Sequence, residues 1–143
     1  IRYELDTYHM YTLFAKTFKD DSEFWETLAE EELNHTSVLS KIQEFYQGDR
    51  TIIDIISVKD VSAIQESRKH LEKLLLKFKA HPTLKMACKI GMEIENSVVE
   101  KSYQKFMSTV TNDGIMKLFQ ALNGEEKEHF KRIQKHSQET IKV

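Results

Sequence analysis

Two copies of Glu-x-x-His stand in this chain, Glu32 with His35 and Glu126 with His129, and each follows a lone upstream carboxylate, Glu4 and Glu95. Four carboxylates and two imidazoles spaced this way form the ligand set of a two-metal carboxylate site inside a four-helix bundle. The chemistry accounts for the residue types. Buried carboxylates repel one another and cost several kcal/mol each unless they are paired. Two divalent cations would offset four Glu charges. Carboxylates can bridge two ions and change binding mode as the ions change oxidation state, while one imidazole per ion adds a softer nitrogen ligand. The mix favours iron or manganese over calcium, and zinc usually takes fewer ligands.

Each residue has a plainer reading when taken singly. Glu-rich runs such as Glu30-Glu31-Glu32 are common on solvated helix faces, and a lone histidine is more often a surface group than a ligand. The joint pattern reverses that balance, because only His35 and His129 have a Glu three residues before them, in matching places. His9 follows Asp6 at the same spacing but has no counterpart in the other half, and it is assigned to the surface with His70, His81 and His136. Glu31 and Glu125 compete as ligands from four residues before each histidine; the three-residue spacing favours Glu32 and Glu126. Glu93 competes with Glu95, which lies nearer the line of Cys88, Gly91, Val98 and Ser102. Tyr11 lies seven residues after Glu4 and Tyr103 eight after Glu95. They read either as ordinary interior tyrosines or as hydrogen-bond partners of metal-bound carboxylates, and the repetition favours the second.

Four helices must bring these groups together. Leu5, Tyr8, Tyr11, Phe14, Ala15 and Phe18 recur at helical spacing and predict a first helix ending near Phe18. Asp21 or Ser22 can cap a second helix, with Trp25, Leu28, Ala29, Leu33, Leu39, Ile42 and Tyr46 on its apolar side and a stop at Gly48. The stretch 49–81 is too long for a tight turn. It holds an apolar patch over 52–56 and an amphipathic helix over about 60–79, with Val61, Ile64, Leu71, Leu74, Leu75 and Phe78. Two readings stand level: packing against the bundle, or a subunit interface or swapped element. Pro82 suits the first turn of a third helix running to about Val110, with Leu84, Cys88, Gly91, Glu95, Val98, Val99, Ser102 and Phe106 near its inner side. Asn112 or Asp113 can cap a fourth, which carries Met116, Phe119, Leu122, Phe130 and Ile133. At 1.5 Å per residue all four carboxylates can reach one level. The expected architecture is one all-α domain over 1–143, two helical hairpins joined by a crossover that contains an extra helix.

Composition narrows the field further. One proline and four glycines leave little material for a turn-rich β fold. A net charge of -2 drawn from many charges of both signs argues against a nucleic-acid surface. No apolar run spans a bilayer and no secretory signal is visible, so no membrane association is expected. The one cysteine, Cys88, excludes an intrachain disulfide and a four-cysteine metal site; it reads as a small buried hydrophobe and fits a cytoplasmic location. The chain opens at Ile1 rather than Met, which implies residues before it.

These residues resemble the rubrerythrin family, within the ferritin-like superfamily. The carriers are Glu4 with Tyr11, the run Glu32-Leu33-Asn34-His35, Met92-Glu93-Ile94-Glu95 with Tyr103, and Glu126-Lys127-Glu128-His129. Segment 24–35 is especially similar to a rubrerythrin second helix. The resemblance implies metal ligands at Glu4, Glu32, His35, Glu95, Glu126 and His129. It also implies a dinuclear non-haem iron centre, with manganese or a mixed pair as variants, that reacts with hydrogen peroxide or oxygen, usually in homodimers. Two departures matter. The family's full-length members carry a rubredoxin domain with two Cys-x-x-Cys pairs, which this sequence does not contain, so either an external electron donor such as a rubredoxin-like protein is expected or that domain lies outside the sequence. They also tend to have an extra Glu three residues after the third-helix ligand, where this chain has Val98. A symmetric four-Glu, two-His set is closer to bacterioferritin-type ferroxidase sites, which makes ferroxidase or iron handling the alternative to peroxide reduction. Leu33 stands where bacterioferritins place a haem-ligating Met, so haem is not implied.

Overall fold

The computed structural model describes residues 1–46, 58–109, 112–122 and 128–141. Gly48, the apolar patch over 52–56, Glu125 and Glu126 lie outside them. Among the described residues all regular structure is helical: α1 Arg2–Thr17, a 3-10 turn Lys19–Asp21, α2 Ser22–Phe45, α3 Val58–Ala80, α4 Leu84–Glu95, α5 Val98–Met107, α6 Gly114–Leu122 and α7 His129–Thr140. This is the expected all-α, ferritin-like bundle, with α1 packed on α2, α4 on α7, and α3 as the crossover helix against α1, α4 and α5.

The third and fourth helices depart from expectation, because each is interrupted. α4 ends at Glu95, and α5 restarts after Asn96 and Ser97. The Ser97 hydroxyl accepts from the Glu100 N–H at 3.1 Å, so Ser97 is a true N-cap that begins a new helix. On the other side, Glu128 adopts φ 84, the left-handed region, and α7 starts afresh at His129. Both breaks reset helical phase. Val98, Ser102 and Phe130, expected on the inner side, are therefore exposed, while Val99 and Ile133, also expected there, are buried with Tyr103 and His129. Leu33 and Val61 are also exposed rather than core-facing.

Helix ends show smaller differences. Thr83, not Pro82, opens α4, its hydroxyl accepting from the Met86 N–H at 3.2 Å. Asp113 caps α6 as expected, accepting from the N–H groups of Ile115 at 2.8 Å and Met116 at 3.3 Å. Asp21 occupies the cap position of α2 but makes no capping bond; its carboxylate pairs with His136 at 3.1 Å instead. His136 is accordingly not a surface residue. It stacks on Phe24 with centroids 3.8 Å apart.

The core forms two apolar clusters. The larger holds Tyr11, Phe14, Trp25, Leu28, Phe78, Ile90 and Ile133 with their neighbours. The smaller holds Val38, Ile42, Tyr103, Met107, Met116 and Phe119. Along α2 the sequence passes from Leu28 and Ala29 in one cluster to Val38 and Ile42 in the other, and Glu32 and His35 fall between them. A polar layer is thus held between two dry ones. In the larger cluster Gly91 lets α4 approach α7 closely; a Cβ there would stand 2.9 Å from Ile133 Cδ1.

Candidate metal centre

Glu4, Glu32, His35, Glu95 and His129 all converge on that layer, and all are buried. Their donor atoms form two triads, Glu4–Glu32–His35 and Glu32–Glu95–His129, in each of which one atom per residue lies within 4.8 Å of the others. Glu32 belongs to both. Its Oε2 lies 3.3 Å from His35 Nδ1, and its Oε1 lies 3.1 Å from His129 Nδ1. His129 Nδ1 is also 3.4 Å from Glu95 Oε2. Both imidazoles therefore turn Nδ1 toward the shared carboxylate. Glu93 faces away, exposed and paired with His70 at 2.6 Å.

The two tyrosines reach across the bundle. The Tyr11 hydroxyl donates to Glu95 Oε1, so a residue of the first hairpin supports a carboxylate of the second. The Tyr103 ring packs on His35 with centroids 4.7 Å apart, again between hairpins.

Protons carry the charge balance in this arrangement. Burial pushes the Glu4 carboxyl well above the usual range, and the neighbouring Glu32 carboxylate adds to it. Burial acts on Glu32 in the same sense, but contacts with His129, His35 and Glu4 outweigh it and hold Glu32 down to about 2. Burial would lower His129, yet Glu31, Glu32 and Glu95 around it raise it to about 12. A protonated Glu4 and an imidazolium at His129 thus reduce the negative charge of the cluster. Both are the protonation states that a cation replaces when it takes the same donors.

Two further groups join the site, one that sequence reasoning did not single out and one that it set behind Glu32 as a competing ligand. Glu100 is buried, accepts from the Gln104 amide at 2.7 Å, and is raised to about 7 by burial and the nearby Glu95. The signal for it was present: Ser97 and Glu100 form the Ser-x-x-Glu spacing of a capping box. Here the Ser97 N–H is already taken by Ile94 O at 2.9 Å, so Glu100 turns toward the polar layer instead of back to the cap. A cavity of about 410 Å³, whose walls include Glu95, Glu100, Gln104 and His129, reaches the second triad. The other group is Glu31, whose Oε2 lies 2.9 Å from His129 Nε2 on the side away from Glu32.

The donor set fits a pair of metal ions. Glu4 Oε2 is buried without a hydrogen-bond partner. Such an orphaned oxygen is costly in a protein interior, and a cation held by Glu4, Glu32 and His35 would satisfy it. The fold and the site define a helical bundle built around a buried carboxylate–imidazole layer. A family model described as rubrerythrin matches residues 1–137, and the chain belongs to that family. No curated protein and no solved structure gives a significant match. No helix among the described residues is long and apolar enough to cross a membrane.

Proposed function

We propose that this protein holds two iron ions and reduces hydrogen peroxide or oxygen at them. The observation that carries the reading is Glu32, one carboxylate common to two triads, each completed by an imidazole that turns Nδ1 toward it. Glu4, Glu32 and His35 would hold one ion, and Glu32, Glu95 and His129 the other, with Glu126 as the expected sixth ligand. Bound ferrous iron supplies the electrons and a template that orients the oxidant.

The chain's own residues do the rest. The apolar clusters shield the layer on two sides, and the cavity beside Glu95 and His129 opens to it. Tyr11 fixes one Glu95 oxygen through its hydroxyl, leaving the other to turn inward. Glu100 holds a proton on its carboxyl near neutral pH beside the cavity that leads to Glu95. A donor of the rubredoxin-like type would supply the electrons; the one cysteine of this sequence, Cys88, is buried in the apolar core.

The test is anaerobic loading with ferrous iron, desalting, metal analysis, and then peroxide with a supplied reductant. Two irons per chain and sustained peroxide consumption are expected. A single round of ferrous oxidation without turnover would instead assign the site to ferroxidase or iron handling. No retained metal would refute the metal reading altogether.

A further inference from the structure

Glu31 stands one residue before the shared carboxylate, yet it faces a different partner. Its side chain is held by Arg132, whose Nη1 donates to Glu31 Oε1 at 2.8 Å and Oε2 at 2.6 Å. The same Oε2 lies 2.9 Å from His129 Nε2. The opposite nitrogen of that ring, Nδ1, lies 3.1 Å from Glu32 and 3.4 Å from Glu95. His129 is therefore gripped on both edges by carboxylates, one edge inside the metal layer and one outside it.

We infer that Glu31, clamped by Arg132, is a positioning residue that fixes the tautomer and ring orientation of His129 so that Nδ1 is offered to metal. The inference rests on the metal reading above. Three observations support it. A histidine that ligates through one nitrogen needs an acceptor for the N–H on the other, and such acceptors hold the ring and strengthen it as a ligand. Glu31 is the carboxylate placed at that nitrogen. Second, His129 is the first residue of α7 and follows a left-handed residue, so its own backbone holds it from one side only. Third, the clamp crosses from α2 to α7 and returns to the same helix one turn on, since Arg132 lies three residues after His129. The geometry also separates Glu31 from Glu32, which the sequence left in competition: Glu31 meets the outer nitrogen and Glu32 the inner one.

The experiment compares Glu31→Ala, Glu31→Gln and Arg132→Ala with the unsubstituted protein. Cobalt(II) binding is measured by calorimetry, and the hyperfine-shifted exchangeable imidazole N–H protons of the loaded protein by NMR. Glu31→Ala is expected to weaken one of two ions by about 10- to 100-fold, with fast solvent exchange of one N–H proton. Glu31→Gln, whose amide oxygen still accepts from Nε2–H, should recover most of the affinity and protection. Arg132→Ala, which leaves Glu31 in place but unclamped, should fall between. If Glu31→Ala fails to fold, the Gln and Arg132 variants still decide the matter: affinity and N–H exchange unchanged in both overturn the inference and leave a plain α2–α7 ion pair. Loss of one ion from the stoichiometry in Glu31→Gln would overturn it the other way, by making Glu31 a ligand. Absence of binding by the unsubstituted protein would overturn the metal reading, and this inference with it.

Discussion

In the first hairpin, the Glu32–His35 pair sits inside α2, which runs unbroken past the polar layer, and Glu4 lies in the first turn of α1. In the second, Glu95 is the last residue of α4 and His129 the first of α7. The Glu-His pair of the first hairpin is thus delivered from a helix interior, and the Glu and His of the second from helix ends. An interior pair three residues apart is locked to one face by helix geometry. A terminal ligand is not. It also meets the wrong pole of the helix: a carboxylate at a C-terminus and an imidazolium at an N-terminus each lose about 0.3–1 kcal/mol. Their mutual contact at 3.4 Å offsets part of that. The first half is therefore preorganised, and the second depends on outside support from Tyr11, Glu31 and Arg132.

The sharpest way to break this comparison is by stoichiometry. Glu32→Ala should lose both ions, because Glu32 is in both triads. Glu95→Ala should retain one ion through desalting, held by the continuous first hairpin. Glu4→Ala should retain less, since the ion that remains has two helix-end ligands, Glu95 and His129, beside Glu32. Metal analysis of the three variants after ferrous loading reads this directly. Equal retention by Glu4→Ala and Glu95→Ala would show that the helix breaks do not matter to binding.

The second contrast is electrostatic. Glu100 has no counterpart in the first hairpin, and its carboxyl is raised from 4.5 to about 7, by burial first and then by Glu95, with Glu32 adding to it and His35 opposing. A raised folded-state value means that the native protein keeps a proton the unfolded chain has released. The stabilisation is full below about 4.5 and is lost as pH rises through about 7. A shift of this size corresponds to roughly 3 kcal/mol. Glu4 acts in the same direction. Metal-free protein should therefore show a falling urea midpoint between pH 4.5 and 7, and Glu100→Gln, neutral throughout, should flatten the fall. An unchanged slope in that variant would remove Glu100 from the account.

How much of this was legible in the sequence follows from the same contrast. Where helices are continuous, the ligand spacing pointed to Glu4, Tyr11, Glu32 and His35, which are buried, and the apolar stripe around them was in phase except at Leu33. Where helices break, the same period was carried through the interruption and put Val98, Ser102 and Phe130 inside. Spacing still brought Glu95 and Tyr103 to the layer, because the eight-residue step from one to the other spans the break at Asn96 and Ser97. Glu100 was missed for a related reason: its capping-box spacing was read as mid-helix. For Glu126 the helical-spacing argument does not extend back from His129, since α7 begins at that histidine. Glu31 and Arg132 lie 101 residues apart, and no local rule reports such a pair.

Support across the hairpins gives the next prediction in size. Tyr11→Phe removes the hydroxyl that donates to Glu95 and leaves a buried carboxylate oxygen short of a partner. A loss of about 1–3 kcal/mol is expected in metal-free protein. The loss should shrink once metal is bound, because the cation then orients the carboxylate itself. Urea denaturation with and without metal measures both. An equal loss in the two states would mean that Tyr11 serves packing alone.

The smallest effect lies at the break itself. Glu128 holds φ 84 with an exposed side chain whose visible partner is Lys131. A left-handed conformation costs an L-residue roughly 1–2 kcal/mol. Glycine removes that penalty but adds about 0.5–1 kcal/mol of unfolded-state freedom, and an exposed ion pair is worth at most about 1 kcal/mol. Glu128→Gly should therefore stabilise only slightly, by about 0.5 kcal/mol. Glu128→Asn, which tolerates the same conformation with less added freedom, should do at least as well. Glu128→Val separates the alternatives, because a β-branched side chain resists positive φ. If the left-handed turn is what aims His129 at Glu32, Val should lower both stability and metal affinity, whereas Gly and Asn leave affinity intact. Affinity unchanged in the Val variant would mean that the Glu31–Arg132 clamp alone sets the position of the histidine.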